Sequence, residues 1–421
     1  MLDRKSAPQF VEVKDFQLPP ANIDALSNGI KIVNFNEVNQ EAVKLELVFA
    51  TGKWHEPERG IAQFTAQMLE KGTSSKNSYQ IAEHFDRFGA SIEINPGFDY
   101  TTVSLYTLSK NLKDVLPLFS EITQAPSFPE SEISLATSIT RQNLKINNEK
   151  TSYVAGKKFR ELIFGSHHPY GSSLEESDLI AINRNKLIEF FNSKFRLHEV
   201  YLTGQLERAS YDRVREAVLG YSAKGSNGIN RIVNESTERN HSLYSERPDS
   251  IQSSLRLGKK IINRSSPDYP TITLLNHLLG GYFGSRLMKN IREEKGLTYG
   301  IHSSISALKH DAFFVIGTDV NKENRKSALE EIRKEVAALS EKPINSTEFE
   351  LGRNHLLGSL QLETANPFAV MEKIKTIRLN QLSTDFYSQL FTNLQETDSI
   401  TLQEVAQKYL GVDSLFEVSV G

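Results

Sequence analysis

The decisive stretch runs from Gly60 to Thr73 and reads GIAQFTAQMLEKGT. Ile61, Phe64, Thr65, Met68 and Leu69 occupy the i, i+3, i+4, i+7 and i+8 positions of an amphipathic helix, so one face is built for burial. Gln63 and Gln67 stand one turn apart on another face.

Upstream, VKLELVFA (43–50) alternates Val43, Leu45, Leu47 and Phe49 with Lys44, Glu46 and Val48, a strand with one clearly apolar face. Downstream come a helix over Ser78 to Phe88, strands from GASIEI (89–94) and TTVSLYTL (101–108), a helix NLKDVLPLFSEIT (111–123), and a long helical stretch from 130 to 164. The segment SAKGSNGINRIVNESTERN (222–240) is rich in Gly, Ser and Asn and reads as a linker. Beyond it the order repeats. IQSSLRLGKKII (251–262) plays the strand, and PTITLLNHLLGG (270–281) and SRLMKNIREEKG (285–296) the helices. LTYGIHSSISA and DAFFVIGTDV are strands, and ENRKSALEEIRKEVAAL (323–339) is a helix. Gly89 and Gly296 open comparable strands 207 residues apart, the spacing of a duplicated domain rather than a solenoid. The fold class is therefore α+β with two homologous domains, residues 20–222 and 247–421, joined by a linker at 223–246. Each pairs a mostly antiparallel β-sheet with helices packed on one face.

A length of 421 residues agrees with two domains of about 200 residues each. With 49 basic against 52 acidic side chains and no dense Lys/Arg run, nothing marks a nucleic-acid footprint or a polybasic membrane anchor. MLDRKSAPQFVEVKDF contains no apolar signal core, and no segment approaches the ~18 apolar residues of a membrane span. The expectation is a cytoplasmic chain, periplasmic if a signal peptide was removed, with no membrane insertion. The absence of cysteine excludes disulfides, thiolate metal sites and a Cys nucleophile.

The run Gly60 to Leu69, with Lys71-Gly72-Thr73 behind it, resembles the zinc helix of the pitrilysin and insulysin family, the inverted-motif zinc peptidases that include the mitochondrial processing peptidases. In that family His-x-x-Glu-His supplies two imidazoles to zinc and a Glu that activates water. The matching positions here are Gln63 and Gln67 for the ligands and Ala66 for the base. A further Glu ligand is implied roughly 76 residues after the second His, yet Arg141 to Lys145 reads RQNLK and holds no acid. A neutral amide oxygen has neither the charge nor the donor strength to replace water around zinc, and Ala66 cannot take a proton. The resemblance thus implies a helix kept for its packing, with no cofactor bound by this chain.

HPYG (168–171), the segment after it and VYLTGQLE (200–207) also resemble family landmarks. His167 and His168 read as part of a turn set by Pro169 and Gly171. His55, Glu56 and Glu58 in WHEPERG read as an exposed loop, and His277 and His355 as single residues within helical runs.

GGYFGSRLMKNIREEKGLTYG (280–300) carries the strongest functional signal. Active relatives place an Arg and, seven residues on, a Tyr across the cleft to hold the substrate carbonyl and its tetrahedral intermediate. The matching residues are Arg292 and Tyr299, a guanidinium and a phenol suited to developing negative charge. Residue type alone would also allow a helix-surface charge and an outward-packing strand residue; the frame of Gly280, Gly281, Gly284, Ser285, Arg286 and Gly296 favours the site. Gly280 and Gly281 are assigned to substrate binding beside it. The first-half edge, Gly-Ala-x-x-Asn-Ala in catalytic relatives, corresponds to Ala90, Ser91, Ile92 and Glu93 as the strand that pairs with a peptide. Glu93 departs from that pattern.

The resemblance implies a clam-like chamber and a non-catalytic subunit of a heterodimeric zinc peptidase. Zinc and base would come from a homologous partner, and substrates would be peptides or unfolded protein segments. Two alternatives stand beside it: a structural subunit like the core proteins of the respiratory bc complex, or a stand-alone peptide-binding module that is a homodimer when isolated.

Overall fold

The computed structural model describes residues 15–36, 40–222 and 241–421. The first half contains β1 (Asn22–Ala25), β2 (Lys31–Phe35), β3 (Ala42–Phe49), α1 (Ile61–Gln67), α2 (Ser78–Arg87), β4 (Ser91–Pro96), β5 (Thr101–Leu108) and α3 (Leu112–Gln124). It continues through α4 (Glu130–Glu149), α5 (Thr151–Phe164), α6 (Arg184–Lys194), β6 (Leu197–Thr203) and α7 (Arg208–Leu219). The second half comprises β7 (Ser242–Ser245), β8 (Gln252–Lys260), α8 (Tyr269–Asn276), β9 (Thr298–Ala307), β10 (Ala312–Asn321) and α9 (Arg325–Glu341). It ends with α10 (Ser346–Leu362), α11 (Pro367–Leu379), α12 (Phe386–Glu396), α13 (Ser399–Tyr409) and β11 (Phe416–Val420). No helix of the described residues is long and apolar enough to cross a membrane.

The duplication is visible strand by strand. The first sheet runs β1-β2-β6-β3-β5-β4 and the second β7-β11-β8-β10-β9. After the extra β1, every position has its counterpart, including the single parallel pair in each sheet, β2 with β6 and β7 with β11. Gly89 and Gly296 precede the matching edge strands β4 and β9 with φ of 59° and 63°, a left-handed turn that favours glycine. Of the expected linker, residues 223–240 lie outside the described residues. Its end is corrected: Ser242–Ser245 form β7, paired with Glu417–Val420 of β11. Four residues of period-2 sequence after a Gly/Ser/Asn-rich run left no signal of their own.

Each sheet buries one face against helices of its own half. Val43, Leu45, Leu47 and Phe49 of β3 meet Ile61, Phe64, Met68 and Leu69 in and just beyond α1, with α3 and α6 completing that core. The second core joins β8 and β10 to α8, α9, α12 and α13, and takes Phe16 from the N-terminal arm, stacked 5.9 Å from Phe391.

The opposite faces are covered by exchange. α5 of the first half sends Val154, Phe159 and Ile163 against Val418 and Val420 of β11. α11 of the second half packs Val370, Met371 and Ile374 against Val33, Phe35, Val48 and Tyr201 of the first sheet. Lys44 and Glu46, on the polar face of β3, are buried beneath α11. Lys44 Nζ donates to Glu372 at 2.9 Å and stands 3.2 Å from Glu46. Lys375 Nζ donates to Glu46 at 2.8 Å, and Arg378 forms a two-pronged pair with Glu199, which also accepts from the Tyr201 hydroxyl. Burial by itself would lower the Lys44 amine, but Glu46 and Glu372 more than reverse this and hold it above the usual lysine range.

A charge of this set left alone under the helix is costly, whereas an exposed pair matters little. Glu46→Gln should lower the unfolding free energy by about 3 kcal/mol. Glu58→Gln, whose pair with Lys186 is exposed, should cost no more than about 1 kcal/mol. Urea denaturation reads both, and equal midpoints would refute the interface assignment.

Candidate functional site

The buried face of α1 is Ile61, Ala62, Phe64, Thr65 and Ala66. Gln63 and Gln67 are half-buried and open on a cleft of about 560 Å³. The same cleft is lined by Asn143 and Asn147 of α4, by Ile92 and Ile94 of β4, and by Tyr153. Asn143 falls 76 residues after Gln67, so the place of the implied third ligand is held by another amide. Ala66, at the position of the base, is wholly inside the core. The amides at the three ligand positions do not fit zinc, because their oxygens are neutral; Glu70, the one carboxylate on the cleft wall, is paired with Lys71 at 2.8 Å. Side-chain amides do suit a peptide main chain, because each presents both a donor and an acceptor.

β4 forms one wall of the cleft and is the edge of its sheet, paired on one side only, with β5. Its free side has the main-chain groups a further strand would use. Ser91 and Glu93 are exposed, while Ile92 is half-buried facing the cleft. Hydrogen bonds from Asn95 and Tyr106 hold the Glu93 carboxyl below the usual range. Ala90, expected on this edge, lies just before β4 with its side chain buried in the first core.

In the second half, Arg292 sits on a π-helical segment, Met288–Glu294, and Tyr299 near the start of edge strand β9. Arg292 Nε donates to the Tyr299 carbonyl at 3.0 Å, and its guanidinium lies 4.8 Å from the centre of the Phe283 ring. The structure thus brings the two residues together. It points the Tyr299 side chain away from the core, 94% exposed, with Phe283 also exposed beside Arg292. Neither Arg292 nor Tyr299 lines the Gln63 cleft, whose walls all come from the first half. Gly280 is corrected: it is buried, and an added Cβ would meet Ser303 N at 2.7 Å, so it serves close packing of the helix on β9. Gly281 is exposed.

The histidines were read too separately. His277 Nε2 and His355 Nδ1 lie 3.0 Å apart, and Tyr282 stacks on the His277 ring and lies tilted against the His355 ring, both at 4.6 Å. Burial, with His355 adding, pushes the His277 imidazole down to about 4. No sequence spacing could have joined two residues 78 positions apart on different helices. Phe283, next to Tyr282, ties this stack to Arg292. His168 does form the expected turn, its Nδ1 accepting from Tyr170 N. Glu56 is not part of an exposed loop: it is buried and accepts from Gly60 N and Ala62 N at the start of α1.

Comparison with known proteins agrees with this architecture. Residues 31–176 match the family described as insulinase (peptidase family M16), and residues 182–356 match the peptidase M16 inactive domain. An uncharacterized zinc protease of Bacillus subtilis, YmxG, is 25% identical over 386 residues, 90% of this chain and 92% of that protein. A protein of Helicobacter pylori called a non-peptidase homolog is 22% identical over 355 residues, 83% of this chain and 79% of its own. Among solved structures, a peptidase M16 inactive domain from Pseudomonas fluorescens superposes with a TM-score of 0.86 at 24% identity, covering 95% of this chain and 98% of that one. A protease from Helicobacter pylori gives 0.86 at 16% identity, covering 96% and 100%. With amides at its ligand positions and an alanine at its base, the chain belongs to the insulinase family, peptidase family M16, as a non-catalytic member.

Proposed function

We propose that this chain is the substrate-binding subunit of a two-chain zinc peptidase. Its homologous partner would hold the metal and the water-activating base, and this chain would lend Arg292 and Tyr299 to the shared chamber. The observation that carries the reading is the outward presentation of that pair. A tyrosine 94% exposed, on an edge strand and tied through its carbonyl to an arginine, contributes nothing to the core of its own half. A phenol and a guanidinium placed in this way can stabilise a carbonyl oxygen that gains negative charge. The amide-lined cleft and the free side of β4, at Ser91, Ile92 and Glu93, would hold extended peptide or unfolded protein segments by main-chain hydrogen bonds. Gly281, exposed beside Tyr282, would leave room for the same chain.

Two measurements test the reading. Purified alone, the chain should cleave no peptide with zinc added; chelator-sensitive turnover would overturn the assignment of a lost metal site. In the complex isolated with its zinc-bearing partner, Arg292→Ala and Tyr299→Phe should each lower kcat by about a hundredfold with a smaller effect on KM. Unchanged turnover in both would return the two residues to packing.

A further inference from the structure

The wall of the Gln63 cleft that faces β4 is a helix surface with aliphatic side chains left in water. Leu135, Ile139 and Ile146 of α4 are exposed by 55%, 52% and 43%. With Asn143 they fall at i, i+4, i+8 and i+11, which puts all four within about a quarter turn of one another on the helix. Ile139 and Asn143 line the cleft, and Leu135 and Ile146 extend the same stripe at either end. Scattered, such residues would need no explanation; aligned along a groove they form a patch. Opposite them stand Ile92 and Ile94 of β4, half-buried and both on the cleft wall, while Ser91, Glu93 and Asn95 of the same strand are exposed.

The β4 wall decides what can cover that stripe. β4 is paired only with β5, so its free side calls for main-chain donors and acceptors, which an extended chain supplies and a helix or an acyl chain does not. The charged residues of the cleft lining, among the described residues, are Glu70 and Lys71, paired with each other at 2.8 Å. The rest is neutral and offers nothing to compensate a charged side chain brought out of water. Successive side chains of a strand point to opposite faces. In a strand added to β4, residues level with Ile92 and Ile94 would therefore point with them into the cleft, and those between would point with Ser91 and Glu93 into solvent. From Leu135 to Ile146 α4 rises about 16 Å, at ~1.5 Å per residue, which matches about five residues of extended chain.

The geometry points to a pattern-reading groove: the cleft between β4 and α4 takes an extended segment of about five residues whose alternate side chains are aliphatic and uncharged, with polar side chains accepted between them. Ile92 and Ile94 on one side and Ile139 and Ile146 on the other determine the specificity. Alternation of this kind belongs to strands that are half-buried in folded proteins, so the segments selected are those that a protein exposes only when unfolded. The inference deepens the peptide-binding reading above and rests on it; the aliphatic stripe and the free strand edge stand without it.

The isolated chain can be tested without a partner or turnover, by fluorescence anisotropy of labelled heptapeptides with blocked ends. The first alternates Ser and Leu, with three leucines. The second has the same composition with the leucines consecutive, the third replaces the central Leu of the first by Glu, and the fourth is the first with alternate main-chain nitrogens methylated. The alternating peptide should bind saturably. The other three should bind about tenfold more weakly or worse, having lost aliphatic burial, gained an uncompensated charge, or lost the main-chain donors. Ile139→Ser and Ile146→Ser, both at exposed positions and so expected to fold, which far-UV circular dichroism verifies, should each weaken the alternating peptide about fivefold. Leu351→Ser, at an exposed apolar position of α10, should leave it unchanged. Equal affinity for the alternating and consecutive peptides would overturn the pattern and leave peptide binding standing, whereas no binding of any of the four would overturn both. Affinity unchanged in both Ile variants, or an equal loss in Leu351→Ser, would likewise overturn the groove. Failure of the two-chain peptidase reading would show as an inactive complex and would leave these titrations unaffected.

Discussion

Each sheet has two faces to remove from water, and each half of the chain carries own-side helices for only one of them. α5 and α11 solve this by crossing over, one onto the second sheet and the other onto the first. The rest of the structure depends on that exchange, because the crossing helices also decide where polar strand residues can exist. Lys44 and Glu46 lie on the face of β3 that α11 covers, and they are tolerated only because Glu372 and Lys375 arrive with matching charge. Such pairs add little net stability compared with apolar packing, yet they penalise any other seating of the helix. The seating of α11 is thereby fixed to within a turn.

Much of the fold was legible in the sequence. The alternation of Val43, Leu45, Leu47 and Phe49 identified a strand and its buried face, and the spacing of Ile61, Phe64, Thr65, Met68 and Leu69 identified the helix that covers it. Gly89 and Gly296 marked the duplication because the same left-handed turn precedes both edge strands. The exchange was not legible. Lys44 and Glu46 mark the second face of β3 as more polar, but a local pattern does not say whether a distant helix will bring counter-charges to it. Helix α11 has apolar and charged residues on nearly every side, and no periodicity names its partner. β7 was missed for a related reason: four residues acquire strand character only from the β11 edge they join.

The site was readable where chemistry is local and hidden where it is assembled. Gln63, Ala66 and Gln67 could be judged from their side chains alone, because no fold turns an amide into an imidazole. The window holding Asn143 could be defined by spacing, but its convergence with the glutamines on one cleft needed the structure. Arg292 and Tyr299 lie side by side, joined through the Tyr299 carbonyl; the exposed Phe283 against Arg292, and the cluster of His277, Tyr282 and His355 behind it, left no signal in the sequence. Ala90 and Gly280 were assigned to ligand contact by their neighbourhood in sequence and turn out to be buried. Proximity along a strand or helix carries no information about which of two adjacent residues faces inward until the register is fixed.

The reciprocal crossing of α5 and α11 also says something about descent. Two copies that trade an equivalent helix are what remains when a strand-and-helix unit dimerises by swapping and its genes later fuse. A lone ancestral unit would have had an uncovered sheet face and could have persisted only in company with its twin. Once joined in one chain, such twins would be free to diverge from one another. The lasting cost of that freedom is that neither half can be excised as a module, since each would leave behind the helix that closes the other.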